Sequence, residues 1–254
     1  MDVNKVLQIS CEAGRIILEN GGETYRVEET IIRICKAFKV DDADCFVTPT
    51  GIVISCRDLD GRNFSIVKRI KKRTVNLGKI SKVNDISRRV HNENLNIDFV
   101  EDELKKIDSY VSYNKKICVV CSSFVAASFT LIYGGNISDF IVSFFIGGII
   151  QLTLYLLKKL NSNIFFINVL GGIIASFFAL LSVHFGLASH LDKIIIGSIM
   201  LLVPGIAITN AIRDSIAGDL LSGLSRGLEA FLIAIAIAIG SGSMIKIWTA
   251  FMGG

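Results

Sequence analysis

A chain of 254 residues is long enough for one or two domains, and this one carries 27 Lys and Arg against 23 Asp and Glu, a net charge of +4. Hydrophobic residues make up 51% and the mean hydropathy is +0.56, yet 20% of the residues are charged. Those values exclude a single domain of uniform composition: residues 1–116 hold most of the charge, and residues 117–254 hold most of the long apolar runs.

In chain order, MDVNKVLQIS lacks the basic start and apolar core of a secretory signal, so the amino-terminal domain is expected in the cytosol. Six cysteines (Cys11, Cys35, Cys45, Cys56, Cys118 and Cys121) fit that compartment as reduced thiols. Val3 to Leu18 reads as a helix stopped by Asn20-Gly21-Gly22. Thr24 to Phe38 reads as a second, with Val27, Ile31, Ile34 and Phe38 on one face. CFVTPT, GIVISCRD and RNFSIVKRI follow as short strands, separated by turns at Pro49-Thr50-Gly51 and Asp58-Leu59-Asp60-Gly61. Asn76 to His91 and Ile97 to Tyr113 return to helix. The expected fold is an α+β cytoplasmic domain, ααβββαα, over residues 1–114, followed by an all-α membrane bundle over residues 115–254.

The basic run Lys68-Arg69-Ile70-Lys71-Lys72-Arg73 suits anionic lipid, nucleic acid, an anionic solute or plain solvent; beside a membrane, lipid and solvent are the better readings. Catalysis finds no support. There is no Gly-rich phosphate loop, metal-ligand cluster or GxSxG elbow, and His91 cannot be paired with Cys11 or Ser55. Cys118 and Cys121 have CxxC spacing without a second ligand pair. No cofactor, no metal and no nucleic-acid partner are expected.

Five apolar segments approach the roughly 20 residues needed to cross about 30 Å of hydrocarbon. They are Ile117–Tyr133, Asp139–Leu157, Ile164–Leu187, Lys193–Ile212 and Leu228–Trp248, joined by short loops that favour an antiparallel bundle. Lys115, Lys116, Lys158, Lys159, Arg213 and Arg226 fall on one side, which places the amino-terminal domain inside and the carboxyl terminus outside. Gly147-Gly148 and Gly171-Gly172 read as close helix packing. His184 and His190 flank the outer end of the third segment as structural residues.

The stretch from Leu202 to Gly240 carries the polar chemistry. Pro204-Gly205 should kink or break a helix, and a break would line a cavity. Thr209, Asn210, Arg213, Asp214, Asp219, Arg226 and Glu229 then crowd between two membrane-length runs, where ionisable groups are costly unless they face protein or water. Indexed as one helix, Ser215, Asp219, Ser222, Arg226 and Glu229 lie within about 40° of one line. That stripe should point to the bundle interior or to a partner. Arg213 or Arg226 could meet a carboxylate, and Asp214, Asp219 or Glu229 an ammonium or a proton.

GGETYRVEETIIRICKAF, VTPTGIVIS and NLGKISKVNDIS resemble the amino-terminal domain of the threonine/serine exporter family, and VPGIAITNAIRDSIAGDLLSGLSRGLEA resembles its membrane signature. The matching positions are Gly22, Arg26, Val27 and Glu28, then Pro204, Gly205, Thr209, Asn210, Arg213, Asp214, Gly218, Asp219, Ser222, Gly223, Arg226 and Glu229. The resemblance implies a multi-pass cell-membrane subunit exporting small polar metabolites, threonine and serine first. It implies the larger chain of a split system, so a second, smaller membrane subunit or further copies of the chain are expected beside membrane lipid. Related split systems are linked with succinate, and a non-transporting scaffold or sensor is the alternative from another class.

Overall fold

The computed structural model describes residues 2–57, 61–110, 113–160 and 162–252. Asp58-Leu59-Asp60 of the second expected turn and Gly254 lie outside them. Among the described residues, ten helices and three strands form two compact units, Met1–Ser112 with Ile206–Leu228, and Tyr113–Gly205 with Glu229–Gly254.

In the first unit, α1 (Val3–Glu19) starts where Asp2 accepts a bond of 3.0 Å from Asn4 N–H. Its Val6, Leu7, Ala13, Ile16, Ile17 and Leu18 are all buried, so it runs through the core instead of along the surface. It stops at the expected glycines. Gly21 takes φ +91°, and Gly22 N–H donates back to Ile17 O at 2.9 Å, a left-handed C-cap. Then α2 (Thr24–Ala37) packs Val27, Ile31 and Ile34 against α1.

Strands β1 (Ala43–Thr48), β2 (Gly51–Arg57) and β3 (Asn63–Arg69) form an antiparallel meander in the order β1-β2-β3. Ile52, Ile54 and Cys56 face the core and Val53, Ser55 and Arg57 face away, the period-two alternation of a half-covered sheet. Helices α3 (Leu77–Glu93) and α4 (Ile97–Ser109) close this core with Ile80, Val83, Ile86, Val100 and Leu104.

The same unit contains α9 (Gly205–Ala217) from Ile206 onward and the first turns of α10 (Leu220–Met252). The single helix assumed when the polar stripe was indexed does not form. Gly218 takes φ +96°, Asp219 N–H donates to Asp214 O at 2.9 Å, and α9 ends in a second left-handed glycine cap. A Cβ on Gly223 would lie 2.1 Å from Ser215 Oγ and 2.9 Å from Ala211 O, so α10 folds back against the backbone of α9.

In the second unit, α5 (Lys115–Ile132), α6 (Ile137–Lys159) and α7 (Ile164–His184) are long and apolar enough to cross a membrane, as is α10; among the described residues these four meet that test. The fourth expected segment is not one helix. Its apolar residues are divided between α8 (Leu191–Ile199) and α9, because Pro204 offers no N–H and clashes with a preceding turn. At 1.5 Å per residue α8 is about 14 Å long, half of the hydrocarbon thickness, whereas the 33 residues of α10 reach about 50 Å.

Glycines set the helix crossings here. Added Cβ atoms would meet Ala126 Cβ at 2.7 Å from Gly147, Ile237 O at 2.7 Å from Gly172, and Val169 O at 2.1 Å from Gly240.

Candidate functional site

The turn Gly21–Thr24 is the hub of the site, because it leaves backbone groups without local partners. The carbonyls of Gly21 and Gly22 accept from side chains distant in sequence. Glu23, at the N-cap of α2, makes no side-chain cap bond of its own, so the first N–H groups of α2 need an acceptor from elsewhere. A Cβ on Gly22 would fall 2.3 Å from Ile17 Cγ2, which reserves that position for glycine.

Residues of α9 and α10 supply those partners. Asp214 accepts from Thr24 N–H at 3.2 Å and from Thr24 Oγ1 at 3.2 Å, capping α2 with a carboxylate from 190 residues away. Asn210 Nδ2 donates to Gly21 O at 2.9 Å, and an Arg226 guanidinium nitrogen donates to Gly22 O at 2.7 Å. Arg226 Nε lies 3.0 Å from Asp214 Oδ2. Arg213 pairs with Glu23, whose other oxygen is 2.8 Å from Arg26 Nε. Ser222 Oγ donates to Val47 O at 3.5 Å while Glu28 accepts from Val47 N–H at 3.1 Å, so side chains occupy part of the outer edge of β1.

The junction is dry at its centre. Asp214 is 0% and Arg226 7% exposed, with Asn210, Ser222, Glu23 and Thr24 also buried. Removing two charges from water costs several kcal/mol per ion, which this pair offsets through mutual attraction and bonds to Thr24 and Gly22. Burial works to raise the Glu23 pKa, but its own backbone N–H, Arg26 and Arg213 outweigh it and hold the carboxyl below the ordinary value. Glu28 goes the other way. Burial raises it, the Val47 N–H opposes, and the charges of Asp219 and Asp214 add to the rise. Asp219 is likewise raised, by burial first and then by Asp214.

Of the expected site residues, the structure thus brings Gly22, Arg26, Glu28, Asn210, Arg213, Asp214, Ser222 and Arg226 together, with Asp219 close enough to act on Glu28. It leaves others apart. Pro204 forms the break before α9, Gly205 is the first residue of that helix, and Glu229 is half-buried further along α10, whereas Thr209 donates to Ile206 O at 3.1 Å on an exposed face and lines a cavity with Asn210 and Arg213. The stripe is divided, with Ser215 on α9 and Ser222, Arg226 and Glu229 on α10. Ser222 and Arg226 reach β1 and the Gly21–Thr24 turn, not the bundle interior.

Two participants, Glu23 and Thr24, were not singled out from the sequence, and Gly218, matched through the family signature, was not read as a helix cap, for which a glycine directly after an apolar helical pattern was the available signal. Asp139 was also missed. It is 0% exposed, closes a capping box with Asn136, and accepts from Ser189 N–H at 2.8 Å and His190 Nδ1 at 2.7 Å. Among the described residues, no group of His, Cys, Asp and Glu could hold a metal ion, and the six cysteines are free.

A cavity of about 540 Å³ opens beside the junction, between α3, the Gly21–Arg26 segment and α9. Arg26, Arg88 and Arg213 line it together with Glu23 and Asp85.

Four helices long and apolar enough to cross a membrane, together with a mixed α/β unit that holds a buried polar centre, mark an integral membrane protein. The sequence profile of the family described as "Putative threonine/serine exporter" matches residues 8–248, and the chain belongs to that family. It is 23% identical over 246 residues to the "Probable succinate transporter subunit YjjP" of Klebsiella aerogenes, covering 96% of this chain and 94% of that protein. It is 19% identical over 242 residues to the "Probable threonine/serine exporter" of Mycobacterium tuberculosis, covering 94% of this chain. It is 23% identical over 252 residues to the "Threonine/serine exporter" of Corynebacterium glutamicum, covering 95% of this chain. The chain spans about half of the length of those two exporters, 46% and 51%. No solved structure matches it.

Proposed function

We propose that the chain is a membrane subunit of a secondary exporter of small carboxylate metabolites, with threonine and serine as the amino-acid candidates and succinate as the dicarboxylate one. The observation that carries this reading is the convergence of the family signature on the Gly21–Thr24 turn. Asn210, Asp214 and Arg226 close a buried polar centre, and Arg213 and Arg26 border a cavity with surplus cationic groups. Arginine forks recognise carboxylates, which all three metabolites carry. The site residues act in two groups. Asp214 and Arg226 hold α9 and α10 to the turn and Ser222 holds α10 to β1, while Arg26, Arg213 and the raised carboxyl of Asp219 handle substrate and proton.

Chain parity supports five crossings with the fourth discontinuous. Residues up to 112 and residues 206–228 form one compact unit, so they share a membrane side. Three helices, α5 to α7, lie between them, and the return requires α8 and the irregular residues 200–204 to cross. Irregular backbone at that depth is tolerated where it is buried in protein or lines a water-filled cavity. The bias of loop lysines and arginines supports a cytosolic shared side with the end of α10 outside. A second, smaller membrane chain completes the pathway, in keeping with relatives of this length being named subunits.

Vesicles loaded with labelled threonine, serine or succinate test this, with and without a co-expressed small partner. Efflux that requires Arg213 supports the exporter. A second reading, a ligand-sensing scaffold, draws on the use of Asp214, Ser222 and Arg226 for docking, and binding without efflux would favour it.

A further inference from the structure

We propose that the cavity beside α3 is a carboxylate-capture site with Arg88 as its anchor; its place on an export route rests on the exporter reading, but the binding does not. Its charges do not balance internally. Arg26, Arg88 and Arg213 face Glu23 and Asp85, and Glu23 is already shared by Arg26 and Arg213. Asp85 pairs with Arg89, at 3.9 Å, not with Arg88. Arg88 makes no ion pair among the described residues, so its five donors face water or a ligand.

Guanidinium donors thus exceed anionic acceptors, and the missing partner is a planar anion that a guanidinium can grip with two parallel bonds. Asn84 and Ser81 sit on the same helix one and two turns before Arg88, where they can meet a hydroxyl, an ammonium or a second carboxylate. About 540 Å³ lies within the range of small-ligand pockets. A bound carboxylate would also compete with Glu23 for Arg213, a side chain 54% exposed and so able to move, while Asp214 and Arg226 keep α9 docked. Occupancy of the cavity is thereby linked to the last turns of α9.

Calorimetry on the full chain in lipid nanodiscs, titrated separately with succinate, L-threonine and inorganic phosphate, tests the site. Wild type should bind at least one carboxylate, and Arg88→Gln should weaken it about 10-fold, the loss expected of a charge-assisted bidentate contact. Lys82→Gln, which removes a charge from α3 outside the cavity, should bind as wild type. Equal binding by Arg88→Gln, no binding of either carboxylate to wild type, or phosphate binding alone would overturn the site. Efflux measured on the same variants separates the two readings. Efflux unchanged by Arg88→Gln, with no carboxylate bound, removes the site and leaves the exporter. Arg88-dependent binding without efflux keeps the site and removes the exporter.

Discussion

At the scale of the residue, the ion pair of Asp214 and Arg226 is bound up with the capping of α2. Asp214→Ala takes the carboxylate from a buried guanidinium and should cost about 3–5 kcal/mol in equilibrium denaturation of the purified protein. The pair joined to Leu and Met, Asp214→Leu with Arg226→Met, should recover most of that loss. About 1 kcal/mol should remain missing, because Thr24 N–H loses its cap. A double variant as unstable as the single one would mean that the charges themselves stabilise the junction. Glu28 gives a pH test. Its pKa is raised in the fold, so the charged carboxylate carries a cost that is present above the folded pKa and disappears as pH falls through it. Glu28→Gln keeps an acceptor for Val47 N–H. It should melt higher than wild type at neutral pH, and the difference should close on acidification. A constant difference across the titration would exclude the buried charge as its cause.

At the scale of the element, the break before α9 and the glycine cap after it isolate a 13-residue helix between two left-unfinished backbone ends. Pro204→Ala with Gly205→Ala should let α8 run on into α9. If the irregular residues serve transport, efflux should fall at least about 10-fold, equivalent to 1.4 kcal/mol on the rate, at unchanged membrane level. Normal efflux at normal level would make the pair a packing kink. The amino-terminal helices and strands were legible because their signals are local: Gly21 after an apolar period, alternation in β2, and turn residues between strands. The break in the fourth apolar segment was half legible. Proline announces a disturbance, but a kink and a full break have the same residues, and the surroundings decide whether freed carbonyls find partners.

At the scale of the molecule, the proposed five crossings and cytosolic amino terminus predict that a cysteine placed at Met252, in a background with the six native cysteines replaced by serine, is labelled from outside intact cells. Labelling only after permeabilisation would overturn that topology. What the sequence by itself determined is composition and period: two regions of different polarity, the order of strands and helices in the first, the membrane-length runs in the second, and the family signature. It also identified Asn210, Arg213, Asp214 and Arg226 as unusual. Only the tertiary structure decided what those residues face. A helical period states which side chains share a line, but the partner covering that line is 190 residues away for Asp214, and no local signal encodes it. The left-handed turn at Gly218 then divided the line itself between two helices, so that burial of the polar groups fell to the Gly21–Thr24 turn, whose unpaired carbonyls and N–H groups could satisfy them.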